Sequence, residues 1–100
     1  MNTKKTANKT SAANASVSWT KNAWEDYMHW HEVDKRKVHE INNLICECLK
    51  DPFKGTGKPE PLKGDLSGFL SRRIDKVHRL VYVPQNGCVC IAMCRFHYDK

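Results

Sequence analysis

Apolar positions acquire a period only after the first fifteen residues. Residues 1–15 are Lys, Thr, Asn, Ser and Ala behind the initial Met, without an acid, and are expected to form a disordered polar tail. From Ser16, Val17 and Trp19 alternate with Ser16, Ser18 and Thr20, as a short strand requires. Thr20 then caps a helix over Lys21 to Glu32, in which Ala23, Trp24, Tyr27 and Met28 recur at helical spacing. Val33-Asp34 interrupts it, and Asp34 is the expected cap of a second helix carrying Val38, Ile41, Leu44, Ile45, Cys48 and Leu49 on one face. Pro52 disfavours helical geometry in the residue before it, so this helix should end near Lys50 or Asp51.

Residues 51–68 contain three prolines and four glycines and read as a loop. A loop so long in a small domain is usually functional or mobile. Beyond it, Phe69 to Ile74, Arg79 to Val83 and Cys88 to Tyr98 read as strands, joined by turns at Asp75-Lys76-Val77 and Pro84-Gln85-Asn86-Gly87. One strand, two helices and then an antiparallel three-stranded meander define an α+β fold with the helices on one sheet face. In the last strand, strict alternation puts Val89, Ile91, Met93, Arg95 and His97 on one side. Cys88, Cys90, Ala92, Cys94, Phe96 and Tyr98 take the other, with the three cysteines expected as small buried hydrophobes. Trp24, Tyr27 and Trp30 are expected as core or dimer contacts rather than base-stacking platforms.

Size and charge restrict what such a domain can do. One hundred residues make a single domain with a modest core, so a large substrate has to bind on its surface. Seventeen Lys and Arg against eleven Asp and Glu give a net charge of +6, which favours a polyanionic partner or simply keeps a small protein soluble. The excess is uneven: residues 1–49 hold 7 basic and 6 acidic side chains, residues 50–100 hold 10 and 5. Nothing approaches the roughly 18 apolar residues of a membrane-spanning helix, and residues 1–15 hold no block resembling a signal peptide, so a cytoplasmic protein is expected. Five cysteines, an odd set, argue against a disulfide framework. Cys46-x-Cys48 and Cys88-x-Cys90 lack the two-residue spacer of zinc sites, and no metal is expected.

Cleaving RNA without a metal takes a base for the 2′-hydroxyl, cations for the charge developing on phosphorus and an acid for the departing 5′-oxygen. One set of residues meets that specification. Glu60 lies between Pro59 and Pro61, which restrict where its carboxylate points, with Lys58 and Lys63 nearby. Arg73, Arg79 and Arg95 fall on successive strands, so their guanidiniums are expected on one concave face, and such forks suit phosphate oxygens. His97 follows Arg95 on the same side, and imidazole titrates near enough to neutrality to lend a proton. His29, His31, His39 and His78 read as ordinary. Each of these groups also has a plain use as a solvated surface residue, and by spacing alone they describe a basic RNA-binding candidate.

Longer strings are more specific. Trp24-Glu-Asp-Tyr27 with Trp30, Asp34-Lys-Arg36, Asp51-Pro-Phe-Lys-Gly-x-Gly-Lys-Pro-Glu-Pro-Leu-Lys63, Leu66-Ser-Gly-Phe69, Ser71-Arg-Arg-Ile74, His78-Arg-Leu-Val-Tyr82 and Cys94-Arg-Phe-His-Tyr98 occur in this order. Together, over roughly Val17 to Tyr98, they resemble the YoeB/Txe branch of the RelE-like toxins. The resemblance implies the compact RelE-like fold and cleavage of mRNA in the ribosomal A site. It assigns Glu60 as general base, His97 as general acid and Arg79 as the cation stabilising the transition state. Arg73 and Lys63 assist, and Tyr98 shapes the site; Lys58 and Arg95 remain candidate substrate contacts. It implies no cofactor, a homodimer, and a neutralising antitoxin of the YefM or Phd type.

Three departures stand out: Leu70 where the family usually has tryptophan, Asp99 and Lys100 beyond the terminal tyrosine, and the tail. Leu70 should reduce packing near the arginine strand and alter ribosome or RNA contacts, while Asp99 adds a negative charge beside the site and should weaken activity. The competing readings are a non-catalytic ribosome or RNA binder that blocks translation and, more distantly, a ParE-like inhibitor of DNA gyrase.

Overall fold

The computed structural model describes residues 16–96, so the expectations for the tail and for His97, Tyr98, Asp99 and Lys100 lie outside the described residues. Side-chain caps set the first boundaries. Strand β1 (Ser16–Trp19) passes into helix α1 (Lys21–Val33) through Thr20, whose hydroxyl accepts the Ala23 N–H at 3.0 Å. Asp34 closes one helix and opens the next. Its N–H donates to Trp30 O at 2.8 Å, and its carboxylate accepts the Arg36 N–H at 3.1 Å to start α2 (Lys35–Lys50). Helix α2 buries Val38, Ile41, Leu44, Ile45 and Cys48. Leu49, expected on that face, is partly exposed at the helix end, where it lines a groove with Phe53 and Pro84.

Four further strands follow: β2 (Glu60–Pro61), β3 (Leu70–Arg73), β4 (Arg79–Gln85) and β5 (Cys88–Met93). With β1 they form one sheet in the order β1-β5-β4-β3-β2. Strand β1 lies parallel to β5 and the remaining pairs are antiparallel. The expected loop therefore contains an edge strand, as well as a 3-10 turn over Gly64–Leu66. Strand β4 outruns its expected end because the hairpin tightens on Asn86 and Gly87, with φ of 45° and 80°, the left-handed pair a type I′ turn demands.

The helices pack on one face as expected. Ala23, Trp30, Ile41, Leu44 and Ile45 meet Leu70, Leu80, Tyr82, Val89 and Ile91 in the core. Strict alternation fails in β5, however. Tyr82 pairs with Ile91 but Val81 with Met93, so one extra residue, Ala92, bulges from the ladder. Directly paired residues share a face, so Met93 follows Val81 to the side turned away from the helices and Cys94 falls into the core, wholly buried. Cys88 and Cys90 take the outer face opposite Ser16 and Ser18 and are only partly buried, which corrects the expectation for them. The start of α1 holds the bulge: Thr20 donates its N–H to Ile91 O and its hydroxyl to Ala92 O, each at 3.0 Å. Burial, aided by the charge of Asp26, pushes the Cys94 thiol up to about 12.

Arg72 points toward the helices and is wholly buried. Its Nε donates to the Tyr82 hydroxyl at 3.0 Å, Nη1 to Thr56 O at 3.0 Å, and Nη2 to Asp51 O at 2.7 Å and Lys54 O at 2.9 Å. Tyr82 in turn donates to Pro52 O at 2.6 Å. One guanidinium thus fastens the first part of the long loop to the sheet. Gly57 continues the seam: its carbonyl accepts the Arg73 N–H at 2.7 Å. With φ of +89°, a Cβ there would stand 3.0 Å from both Arg72 Cβ and Leu44 Cδ2.

The turn between β3 and β4 is locked by Asp75, whose carboxylate accepts the Val77 and His78 N–H groups at 2.7 and 2.6 Å and pairs with Lys37 Nζ at 2.9 Å. Burial acts to raise this carboxyl, but the hydrogen bond from Lys37 and the two backbone donors outweigh it and hold it at about 2. A carboxyl held below its unfolded value of about 3.9 contributes stability above that value and loses it as pH falls through the folded one. Asp75→Asn is therefore expected to lower the melting temperature at pH 7 and to converge with the wild type near pH 2. Thermal melts across that range check it, and a gap that stays constant with pH would contradict the linkage.

Candidate active site

Strand register brings together two of the groups that the sequence scatters. Glu60 pairs with Ser71, Ser71 with Val81 and Val81 with Met93; two residues along, Arg73 pairs with Arg79. All lie on the face turned from the helices, because their neighbours Leu70, Arg72, Leu80 and Tyr82 take the covered one. Strand spacing near 4.8 Å and about 6.8 Å between alternate residues put the Glu60 and Arg79 Cα atoms roughly 12 Å apart. A glutamate and an arginine reaching inward from that separation can meet on a single phosphodiester.

Anchors surround Glu60 although its own side chain is exposed. Upstream, Gly57 is tied to Arg73, and downstream the buried Leu62 donates its N–H to Phe69 O at 2.9 Å. Pro59 and Pro61 stiffen the backbone between. Lys58, in left-handed backbone with φ of 52°, and Lys63 stand exposed on either side of β2. Arg73 is exposed, whereas Arg79 is half-buried with Nε and Nη1 enclosed. The face thus presents a carboxylate at the sheet edge and two guanidiniums inboard, with an exposed lysine before and after β2.

Arg95 has different neighbours. Its guanidinium lies 4.5 Å from the centroid of the Phe96 ring and acts on Asp26, whose carboxyl is raised by burial and partly drawn back by the Cys94 N–H and the Arg95 charge. The structure pairs Arg73 with Arg79 and does not bring Arg95 into that pair. The segment before His97 is nevertheless fixed. Trp30 Nε1 donates to Cys94 O at 2.9 Å, Asp26 accepts the Cys94 N–H at 3.1 Å, and the Arg79 N–H reaches Phe96 O at 3.2 Å. Phe96, in left-handed backbone with φ of 67°, donates its N–H to His78 Nδ1 at 2.7 Å. His97 and Tyr98 lie outside the described residues.

Sequence reasoning passed over two residues that shape this region. Arg72 was legible in principle: neighbouring strand residues face opposite ways, so one arginine of the Arg72-Arg73 pair had to enter the core. His78, read as ordinary, accepts from Phe96 and packs edge-on against Trp30; its position beside Arg79 is the only sequence signal. Leu70 faces the core, opposite the Arg73 side, so the departure from tryptophan bears on packing. A groove of about 520 Å³ between the end of α2 and the β4–β5 hairpin is lined by none of the candidate residues.

A sheet with both helices packed on one side is the architecture of the small RelE/YoeB-like toxins, and solved structures of that group superpose on it. A YoeB dimer from Staphylococcus aureus superposes with a TM-score of 0.80 at 38% identity, covering 85% of this chain and 99% of that one. A heterotetrameric YoeB-YefM toxin-antitoxin complex from the same organism superposes with a TM-score of 0.79 at 39% identity, covering 84% and 98%. Toxin YoeB of Streptomyces coelicolor is 55% identical over 82 residues, 82% of this chain and 98% of that protein. Residues 19–98 match the profile of the YoeB-like toxins of bacterial type II toxin-antitoxin systems, and the chain belongs to that family.

Proposed function

We propose that the chain is a ribosome-dependent mRNA endonuclease that acts in the bacterial cytoplasm on the codon held in the A site. The observation carrying this is the register that puts Glu60 and the Arg73–Arg79 pair on one sheet face, opposite the helices. In the proposed reaction the Glu60 carboxylate takes the proton of the 2′-hydroxyl, whose oxygen bonds to phosphorus. Arg79, with Arg73 and Lys63, balances the charge that gathers on the phosphoryl oxygens. His97 gives a proton to the departing 5′-oxygen and Tyr98 positions the substrate. Lys58 and Arg95 are further cations along the RNA path. The step leaves a 2′,3′-cyclic phosphate and a 5′-hydroxyl and uses no cofactor.

Control of such an activity falls to a partner. The heterotetramer from Staphylococcus aureus joins YoeB to YefM, and another structure from that organism is a YoeB dimer. By that likeness the chain is assigned a YefM/Phd-type antitoxin and a homodimeric state.

Mapping of mRNA ends on translating ribosomes after induction tests the proposal. The wild type should generate new 5′-hydroxyl ends at A-site codons, and a 2′-deoxy substitution at the cut position should remove them. Glu60→Ala should yield none. Translation arrest with intact mRNA would replace the nuclease with a blocker of the ribosome, and loss of gyrase supercoiling would move the target to DNA.

A further inference from the structure

Ser71 has no place in the proposed chemistry, yet its surroundings are unusual. It is wholly buried, and its Oγ is enclosed without a hydrogen-bond partner among the described residues. Buried hydroxyls are nearly always bonded, so one that is not calls for a partner that arrives later. Its cross-strand neighbours are Glu60 on one side and Val81, whose side chain offers no acceptor, on the other. Arg73 stands two residues along on the same face.

We infer that Ser71 is a positioning residue for Glu60: when RNA is seated, its hydroxyl donates a hydrogen bond to the Glu60 carboxylate and aims it at the 2′-hydroxyl. The inference rests on the reading of Glu60 as the base. Directly opposed residues hold their Cβ atoms about 5 Å apart, within reach of a folded-back glutamate. Pro59 and Pro61 keep the backbone still, so rotation about the Glu60 side-chain bonds makes the contact. Such a bond serves two purposes. It selects one orientation for a carboxylate that is otherwise exposed, and it stabilises the ionised form that can accept a proton.

The test compares wild type, Ser71→Ala, Glu60→Ala and the double variant, each as the full chain acting on mRNA-programmed ribosomes. Ser71→Ala should lower kcat about tenfold or more at unchanged KM. The acid limb of its kcat–pH profile should move to higher pH, because the carboxylate loses a donor that favours its charged form. Its melting temperature should equal or exceed that of the wild type, since an unbonded buried hydroxyl is removed. Ser71→Ala should cause no further loss once Glu60 is alanine. An unchanged kcat and pH profile overturns the inference, as does a rate loss that tracks a fall in melting temperature with the acid limb unmoved. If Glu60→Ala cleaves like the wild type, the base assignment fails and this inference with it; an inactive Glu60→Ala beside a fully active Ser71→Ala removes the Ser71 role alone.

Discussion

Arg72→Met should lower the melting temperature by about 15 °C or more. The side chain is wholly buried, and its guanidinium serves the carbonyls of Asp51, Lys54 and Thr56 together with the Tyr82 hydroxyl. Methionine keeps much of the aliphatic bulk but leaves those acceptors without a donor. Leaving a buried acceptor without its donor costs about 1–3 kcal/mol, so several together cost more than any one, and each 1 kcal/mol moves the midpoint of a domain this size by roughly 4–8 °C. Arg73→Met, next in sequence but exposed on the other face, is the control and should shift it little. Circular-dichroism melts of both decide the matter, and equal shifts would refute the division of labour between the two arginines.

His97→Ala is expected to reduce single-turnover cleavage on programmed ribosomes by about a hundredfold or more while ribosome binding persists. The reason is chemical: a departing 5′-oxygen that receives no proton leaves as a strongly basic alkoxide. Arg73, Arg79, Lys58 and Lys63, the cations assigned to RNA in the proposed reaction, are untouched, so affinity and its salt dependence should hold. Rates measured beside a binding titration separate the two quantities. Cleavage within a few-fold of the wild type would remove His97 from the reaction, and parallel loss of binding and cleavage would make it a contact instead of an acid.

Where local chemistry dictated structure, the sequence was a good guide. Thr20 and Asp34 cap helices because a short oxygen-bearing side chain can satisfy a free N–H nearby, and that requirement is visible in the residue type. Val38, Ile41, Leu44, Ile45 and Cys48 marked the buried face of α2 by spacing alone. Long-range geometry was a different matter. Nothing in Ser16–Trp19 announces parallel pairing with a strand about seventy residues later. Glu60–Pro61 is too short to show alternation, and its prolines argue against a strand, so the element that carries the candidate base read as loop. The bulge at Ala92 defeated the period-2 assignment of Met93 and Cys94, because an extra residue in the ladder reverses every face after it. Candidate residue types were thus legible, while their convergence depended on a register that only the fold supplies.

The rim formed by β2 has a bearing on how this chain can be silenced. Glu60 faces β3 through its backbone and Leu62 donates its N–H inward to Phe69, so the outward amide positions are those of Pro59 and Pro61, which have no hydrogen to give. An incoming peptide cannot zip onto that border as an added strand, the route by which many extended segments dock. An inhibitor that covers Glu60 is therefore expected to lie across the face bearing Lys58 and Arg73 instead of lengthening the sheet, and polyanions would compete with it for that ground.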